Sequence, residues 1–256
     1  MNPETLKKIC ALNNAFYRDN SASFSKTRQS PWPGWTRCLE VLKSVQADER
    51  PAGSRLAGDQ TGDQRAGDER LADDELADDG QTGEQTGAQQ ALSVFDLACG
   101  NLRFENFLAS ALPETTLNFY AVDNCDRLVQ MSDMKFCAAN QEKQYVTHPL
   151  EQYTNCQLNY QNLDVLDALG ADLCLNDQLA APLCDLSVSF GFLHHVPLAK
   201  YREEILASLV RQTRPGGLVI VSLWQFLNDE TLAKRARATH KRALQELGLP
   251  ALDDND

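Results

Sequence analysis

Between residues 92 and 223 short apolar runs alternate with helical segments, and this alternation restricts the fold more than any other feature of the chain. Strand signals fall at 92–98, 117–122, 157–163, 186–190 and 218–223. Between them the spacing predicts helices over 101–110, 126–140 and 197–212, the last with a proline at its start. Strand, helix and strand in regular succession predict an α/β fold, a parallel sheet with helices on both faces and right-handed crossovers. Ligands of such sheets sit beyond the carboxyl ends of the strands, near the point where the strand order reverses. The residues just after each strand are therefore the ones that carry information about function.

Two other segments precede this core, which is taken to run over 91–256. Residues 1–46 read as a helical arm. Leu6, Ile9, Leu12 and Phe16 recur at helical spacing, and a second helix is expected over 33–45. Residues 47–90 hold no aromatic residue, a glycine every few positions, and irregular copies of Ala-Gly-Asp and Gln-Thr-Gly. Such a stretch buries too little apolar area to offset its ordering entropy, so it is expected to be a disordered acidic insertion. It also distorts the charge balance. The chain carries −12 overall, but segment 46–91 alone carries −8 and residues 1–45 carry +4. The overall charge therefore does not exclude an anionic partner for the arm.

Eight cysteines are scattered with no Cys-x-x-Cys pair, which fits reduced thiols of a cytoplasmic protein better than disulfides or a zinc site, and no metal is expected. No apolar run approaches the roughly 20 residues that span a bilayer. The opening Met1-Asn2-Pro3-Glu4 lacks the basic-then-apolar order of a secretory signal.

The first strand is followed by Asp96-Leu97-Ala98-Cys99-Gly100-Asn101-Leu102. Small residues there let a ligand approach the backbone at a helix N-terminus. A dinucleotide is disfavoured: its pyrophosphate loop wants Gly-x-Gly-x-x-Gly, whereas only Gly100 is a glycine here, and Asp96 would repel the phosphates. A cationic ligand meets no such objection. The second strand ends at Asp123, an acid placed to accept hydrogen bonds from ribose hydroxyls, followed by Asn124. The third ends at Asp164-Val165, the fourth at Phe190-Gly191 with Leu193-His194-His195 beyond it, and Arg214-Pro215-Gly216-Gly217 forms a tight turn before the fifth.

Taken in order over residues 92–226, these stretches resemble the successive signatures of class I S-adenosylmethionine-dependent methyltransferases, which have a Rossmann-like fold. The resemblance implies S-adenosylmethionine as cofactor. Asp96, Ala98, Cys99, Gly100 and Asn101 would cradle its methionine end, with Phe190 and Gly191 nearby. Asp123 and Asn124 would hold the ribose, Asp164 and Val165 the adenine. Ala98 and Leu102 depart from the pattern, standing where many members of that family have glycine. In the arm, Phe24-Ser25-Lys26-Thr27-Arg28-Gln29-Ser30-Pro31-Trp32-Pro33 resembles the signature of the tRNA methyltransferases that esterify 5-carboxymethyluridine at the wobble position, and Tyr17 matches a tyrosine of that family's opening. This implies Tyr17, Arg28, Trp32 and Trp35 as substrate-binding residues and tRNA as a partner. Indole faces can stack on an unpaired base, and a guanidinium can pair with a phosphate or carboxylate.

Several alternatives stay open on these residues. His194 and His195 are candidates for a general base or for shaping the loop. Trp32 and Trp35 are either core anchors or substrate contacts. The basic run near Lys234-Arg235-Ala236-Arg237 is either a solvated helix face or an RNA contact. Class I methyltransferases usually end in an antiparallel hairpin of strands six and seven, and no strand signal follows residue 226. The fifth strand is therefore expected to be an exposed apolar edge, covered by a partner or an absent segment. Three functions share this pattern: a tRNA carboxymethyluridine O-methyltransferase, a methyltransferase for a small carboxylate or hydroxyl acceptor, and a truncated cofactor-binding protein without activity.

Overall fold

The computed structural model describes residues 3–48, 91–132, 146–150, 153–225 and 228–248. The expected insertion, from position 49 on, and positions 133–140 of the helix expected over 126–140 lie outside these residues. The chain forms helices α1 (Pro3–Lys26) and α2 (Pro33–Asp48), strand β1 (Leu92–Leu97), α3 (Arg103–Ala111), β2 (Leu117–Asp123) and a short α4 (Asp126–Gln130). There follow β3 (Val146–Leu150), β4 (Tyr153–Asn162), α5 (Val165–Gly170), α6 (Leu175–Gln178) and β5 (Cys184–Ser189). The described chain ends with α7 (Ala199–Gln212), β6 (Thr213–Val221) and α8 (Glu230–Leu247).

The six strands form one sheet in the order β3-β4-β2-β1-β5-β6. All neighbours pair in parallel except β3, which runs antiparallel to β4. The chain winds outward from β1 through β2 to β4, then crosses back to β5 and β6. This is a Rossmann-like doubly wound sheet with its switch point between β1 and β5. The expected α/β class and five parallel strands are thus observed, and the sixth strand is an addition. Its sequence, Val-Thr-His-Pro-Leu, has no alternation and contains a proline, which a ladder accepts only at an edge such as this.

Alternation along the strands divides the core between two faces. Val94, Leu117, Phe119, Leu186 and Val188 join Phe104 and Leu108 of α3 and Trp35 and Leu42 of α2 on one face. Phe95, Leu97 and Val122 join Leu166 of α5 and Ile205 and Leu209 of α7 on the other, where Leu6 and Cys10 of α1 also pack. Helices therefore cover both faces, and β5 is buried along its whole length, as a central parallel strand should be.

Two local expectations are corrected. The Arg214–Gly217 turn lies inside β6, not before it. Thr213 pairs with Cys184, the register then shifts, and Leu218 pairs with Leu186. Gly217 cannot be replaced there, because a Cβ would lie 2.7 Å from the Asp185 carbonyl oxygen. The inward face of α1 is the one its apolar residues mark only at Leu6 and Ile9. Leu12 and Phe16 are 47% and 54% exposed, whereas Thr5, Ser21 and Ser25 are buried and Asn14 and Tyr17 half-buried. Asn14 and Tyr17 line a cavity beneath the helix, and the Ser25 hydroxyl donates to the Met131 carbonyl oxygen. β6 is the outer strand among the described residues, with Val219 37% exposed, as expected for an uncovered edge.

Candidate functional site

A cavity of about 670 Å³ opens beyond the carboxyl ends of β1, β2 and β5, roofed by α1 and the start of α2. Its size suits a nucleoside-sized ligand, since such pockets span roughly 300–1,000 Å³. Every residue singled out above as cofactor-binding, substrate-binding or a candidate base lines it. The sequence missed several others on the same wall, notably Asn14, Phe24, Arg103 and Trp224. Asn13-Asn14 in the middle of an amphipathic helix was the available signal for the first.

The loop after β1 owes its shape to three left-handed residues. Ala98, Gly100 and Leu102 have φ of 66°, 60° and 55°. Only Gly100 adopts this conformation without strain, because a Cβ in the left-handed region crowds the following carbonyl. The two departures from the glycine pattern therefore fall where glycine is conformationally favoured. Surrounding bonds hold them. The Ala98 and Cys99 amides donate to the Val122 carbonyl at 2.7 and 3.1 Å, and the Leu102 side chain is fully buried.

Asp123 joins the ends of β1 and β2. Its Oδ2 accepts the Gly100 amide at 2.9 Å and its Oδ1 the Cys125 amide at 2.8 Å. Burial pushes its carboxyl up to about 6, against the backbone donors that favour the ionised form. Beside it Asp96 is buried on the face towards α3, and Glu105 of α3 is fully buried. Burial raises both carboxyls, Asp96 well above the usual carboxylate range, with the Glu105 charge adding to it, and Glu105 to about 7. The inner end of the cavity is thus acidic, with no lysine, arginine or histidine paired to these groups among the described residues.

Asp164 is occupied by protein groups. Its Oδ1 caps α5 by accepting the Leu166 and Asp167 amides, and its Oδ2 accepts the Asn14 and Asn124 side-chain amides at 2.7 and 2.9 Å. Val165 is buried in the core beneath it. Asn101 donates to Ser25 Oγ and to the Arg28 carbonyl oxygen at 3.2 and 3.4 Å. The arm is therefore tied to the same side chains expected to meet the cofactor.

The outer half is aromatic and basic. Trp35 is 3% exposed and packs within a cluster with Trp32, Phe104 and Phe190, ring centroids 5.3–5.6 Å from its own. It is a core anchor. Trp32 is half-buried and lies against Gly191, where a Cβ would stand 3.2 Å from its ring. Arg103 lies 5.3 and 5.1 Å from the rings of Trp32 and Trp35, and Arg28 3.8 Å over Phe24. The mouth continues into a shallower cleft lined by Arg28, Trp32, Arg103, Leu223 and Trp224. Neither guanidinium forms an ion pair among the described residues. Arg28 donates to Thr27 Oγ1 and Arg103 to the Ser30 carbonyl.

His194 stacks on Trp224 at 4.5 Å. The Tyr17 hydroxyl and His195 Nε2 share a hydrogen bond of 2.8 Å. Burial, with His194 adding to it, lowers the His195 ring to about 4, so it is neutral at physiological pH, and its tautomer sets which partner donates.

Fold and cavity together define a Rossmann-like α/β protein with a ligand-sized cavity at its switch point, acidic within and basic at its mouth. No family model matches the chain. Over 83 residues, 31% of its length, it is 23% identical to tRNA (carboxymethyluridine(34)-5-O)-methyltransferase of Arabidopsis thaliana, and that stretch covers 20% of the relative's length. Among solved structures it is similar to a TehB-like SAM-dependent methyltransferase from Corynebacterium glutamicum, at 17% identity over 58% of this chain and 66% of that one, with a TM-score of 0.33. It is also similar to human N-acetylserotonin methyltransferase in complex with SAM, at 16% identity over 57% and 34% of the two chains and a TM-score of 0.34. A third is the CurJ carbon methyltransferase, at 14% over 67% and 46%, with a TM-score of 0.36.

Proposed function

We infer that the chain is an S-adenosylmethionine-dependent methyltransferase whose acceptor is a carboxylate on an RNA base, of the kind carboxymethyluridine carries at the tRNA wobble position. The carrying observation is the charge layout of the cavity. Asp96, Glu105 and Asp123 line or back its inner end, whereas Arg28 and Arg103 stand unneutralised at its mouth beside Trp32 and Trp224. A cationic cofactor fits the first and an anionic, planar acceptor the second.

The residues present fit the cofactor. Asp96 Oδ1 is buried with no donor among the described residues, which suits an ammonium, and the small residues from Ala98 to Gly100 suit close approach of the methionine end. Asp123 and Asn124 would take the ribose, and Asp164, Val165 and Leu166 the adenine side. When bound, the cofactor supplies a methyl group already activated by its sulfonium. What falls to the protein is to seat the acceptor in line and exclude water. Arg28 and Arg103 would hold the carboxylate, and the Trp32 face the base. A carboxylate oxygen needs no general base, and His195, neutral and weakly basic, then serves through its bond to Tyr17 to place the arm. The acceptor named for the Arabidopsis relative supports the same reading.

The test is methyl transfer from labelled cofactor to tRNA bearing carboxymethyluridine, with Arg28→Ala beside it. Base-labile label on the RNA, falling at least tenfold in the variant, is the expected result. Label only on small acids, or cofactor binding with no transfer to any acceptor, would refute the RNA acceptor.

A further inference from the structure

The carboxyls of Asp96 and Glu105 form an enclosed pair that the transfer step does not use. Asp96 is 3% and Glu105 0% exposed. Asp96 Oδ1 and both Glu105 oxygens are buried with no hydrogen-bond partner among the described residues, and the Glu105 charge lies close enough to raise the proton affinity of Asp96. Two carboxyls buried this close do not both ionise, so one of them holds a proton. The other titratable groups facing them are acidic too: Asp123 at the end of β2 and the buried Cys99 thiol in the loop after β1. Arg103, two residues before Glu105, turns its guanidinium over Trp32 and Trp35. No cation among the described residues therefore neutralises the pair, yet Asp96 forms part of the cavity wall.

We propose that Glu105 and Asp96 are a proton-linked seat for the cationic end of the cofactor, holding one shared proton in the free protein and releasing it to solvent when that cation binds. The inference rests on the cofactor reading above. The exchange balances, since the carboxylic acid becomes a carboxylate, the proton passes to buffer, and the ligand's fixed positive charge replaces it. Glu105 is on this account a positioning residue. It touches the ligand only through Asp96, and it sets the charge that Asp96 presents. Burial raising both carboxyls agrees with a retained proton near neutrality.

The sign follows from linkage. Groups whose pKa falls on binding release protons, so affinity rises with pH until the free pair is itself ionised. Affinity for S-adenosylmethionine should rise about tenfold per pH unit below neutrality and level off above, the slope of a single released proton. The experiment is calorimetric titration of the full chain with S-adenosylmethionine near pH 6.5, in phosphate and in imidazole, whose ionisation enthalpies differ. Wild type should release about one proton per ligand bound, and Glu105→Gln, whose amide can donate to an ionised Asp96, well under half of one. Heats independent of buffer, or equal release by the variant, would overturn the linkage while leaving the cofactor in place. Should Glu105→Gln fail to fold, the pH dependence of wild-type affinity decides, a flat profile from pH 5.5 to 8 overturning the proposal. A folded chain that takes no cofactor at all would overturn the cofactor reading and this linkage with it.

Discussion

Replacing Trp35 separates its packing from its polar atom. The ring is 3% exposed, and four aromatic neighbours have centroids 5.3–5.7 Å away. Its Nε1 is buried with no acceptor among the described residues. Truncation to alanine removes the whole ring from the junction of α2, α3 and β5, and such changes cost about 3–5 kcal/mol. At roughly 2–4 °C per kcal/mol for a chain of this size, melting should fall by about 10 °C. Phenylalanine gives up only the five-membered part of the indole, roughly 1 kcal/mol of burial at about 25 cal/mol per Å². It also removes an orphaned donor, whose burial costs about 1–3 kcal/mol. The two terms offset, so Trp35→Phe should lie within about 1 kcal/mol of wild type by urea denaturation followed by circular dichroism. A loss for phenylalanine equal to that for alanine would refute the reasoning, because it would mean that the indole N–H has a partner.

Other residues give further expectations. Ala98→Gly relieves a left-handed alanine and should stabilise the chain by about 0.5 kcal/mol after the flexibility of glycine in the unfolded state is deducted, whereas Leu102→Gly should destabilise by at least about 2 kcal/mol because that side chain is fully buried; chemical denaturation of both checks this. Asp123 and Glu105 have carboxyls raised on folding to about 6 and about 7, so their contribution to stability is present below their unfolded values and lost as pH rises through the folded ones. The ligand-free chain should therefore melt lower at pH 8 than at pH 5.5, and Glu105→Gln should flatten that dependence. His195 is neutral throughout the working range, so His195→Gln should lower turnover without moving any ionisation between pH 6 and 8 in the rate profile; loss of such an ionisation would make it a base after all.

The strand ends were legible in the sequence because buried parallel strands leave short apolar runs with small or acidic residues after them. Asp96, Gly100 and Asp123 could be read from that position alone. The face of α1 could not. Hydrophobic periodicity points at Leu12 and Phe16, but the helix buries Ser21 and Ser25 and half-buries Asn14 and Tyr17 over a ligand-sized cavity. Glu105 was hidden for the opposite reason. An acid between Phe104 and Phe107 looks like the solvated side of a helix until the sheet places it against Asp96. Trp32 and Trp35 were indistinguishable in sequence, since three residues apart on a helix start both can face inward. Only the approach of Gly191 puts Trp32 at the mouth and leaves Trp35 in the core.

The arm and the cavity floor form one hydrogen-bonded unit. Asn14 reaches Asp164, Tyr17 reaches His195, Ser25 and the Arg28 carbonyl reach Asn101, and Asn124 bridges Asn14 and Asp164. All but the Asn124–Asp164 bond join the arm to a side chain in a loop that follows a strand. Asn14, Tyr17 and Ser25 of α1 thus hydrogen-bond to residues of the cavity wall. A ligand that claims Asp164 or Asn124 must take over bonds that α1 now makes, so filling the inner cavity and seating the arm, with Arg28 at its end, cannot be independent events.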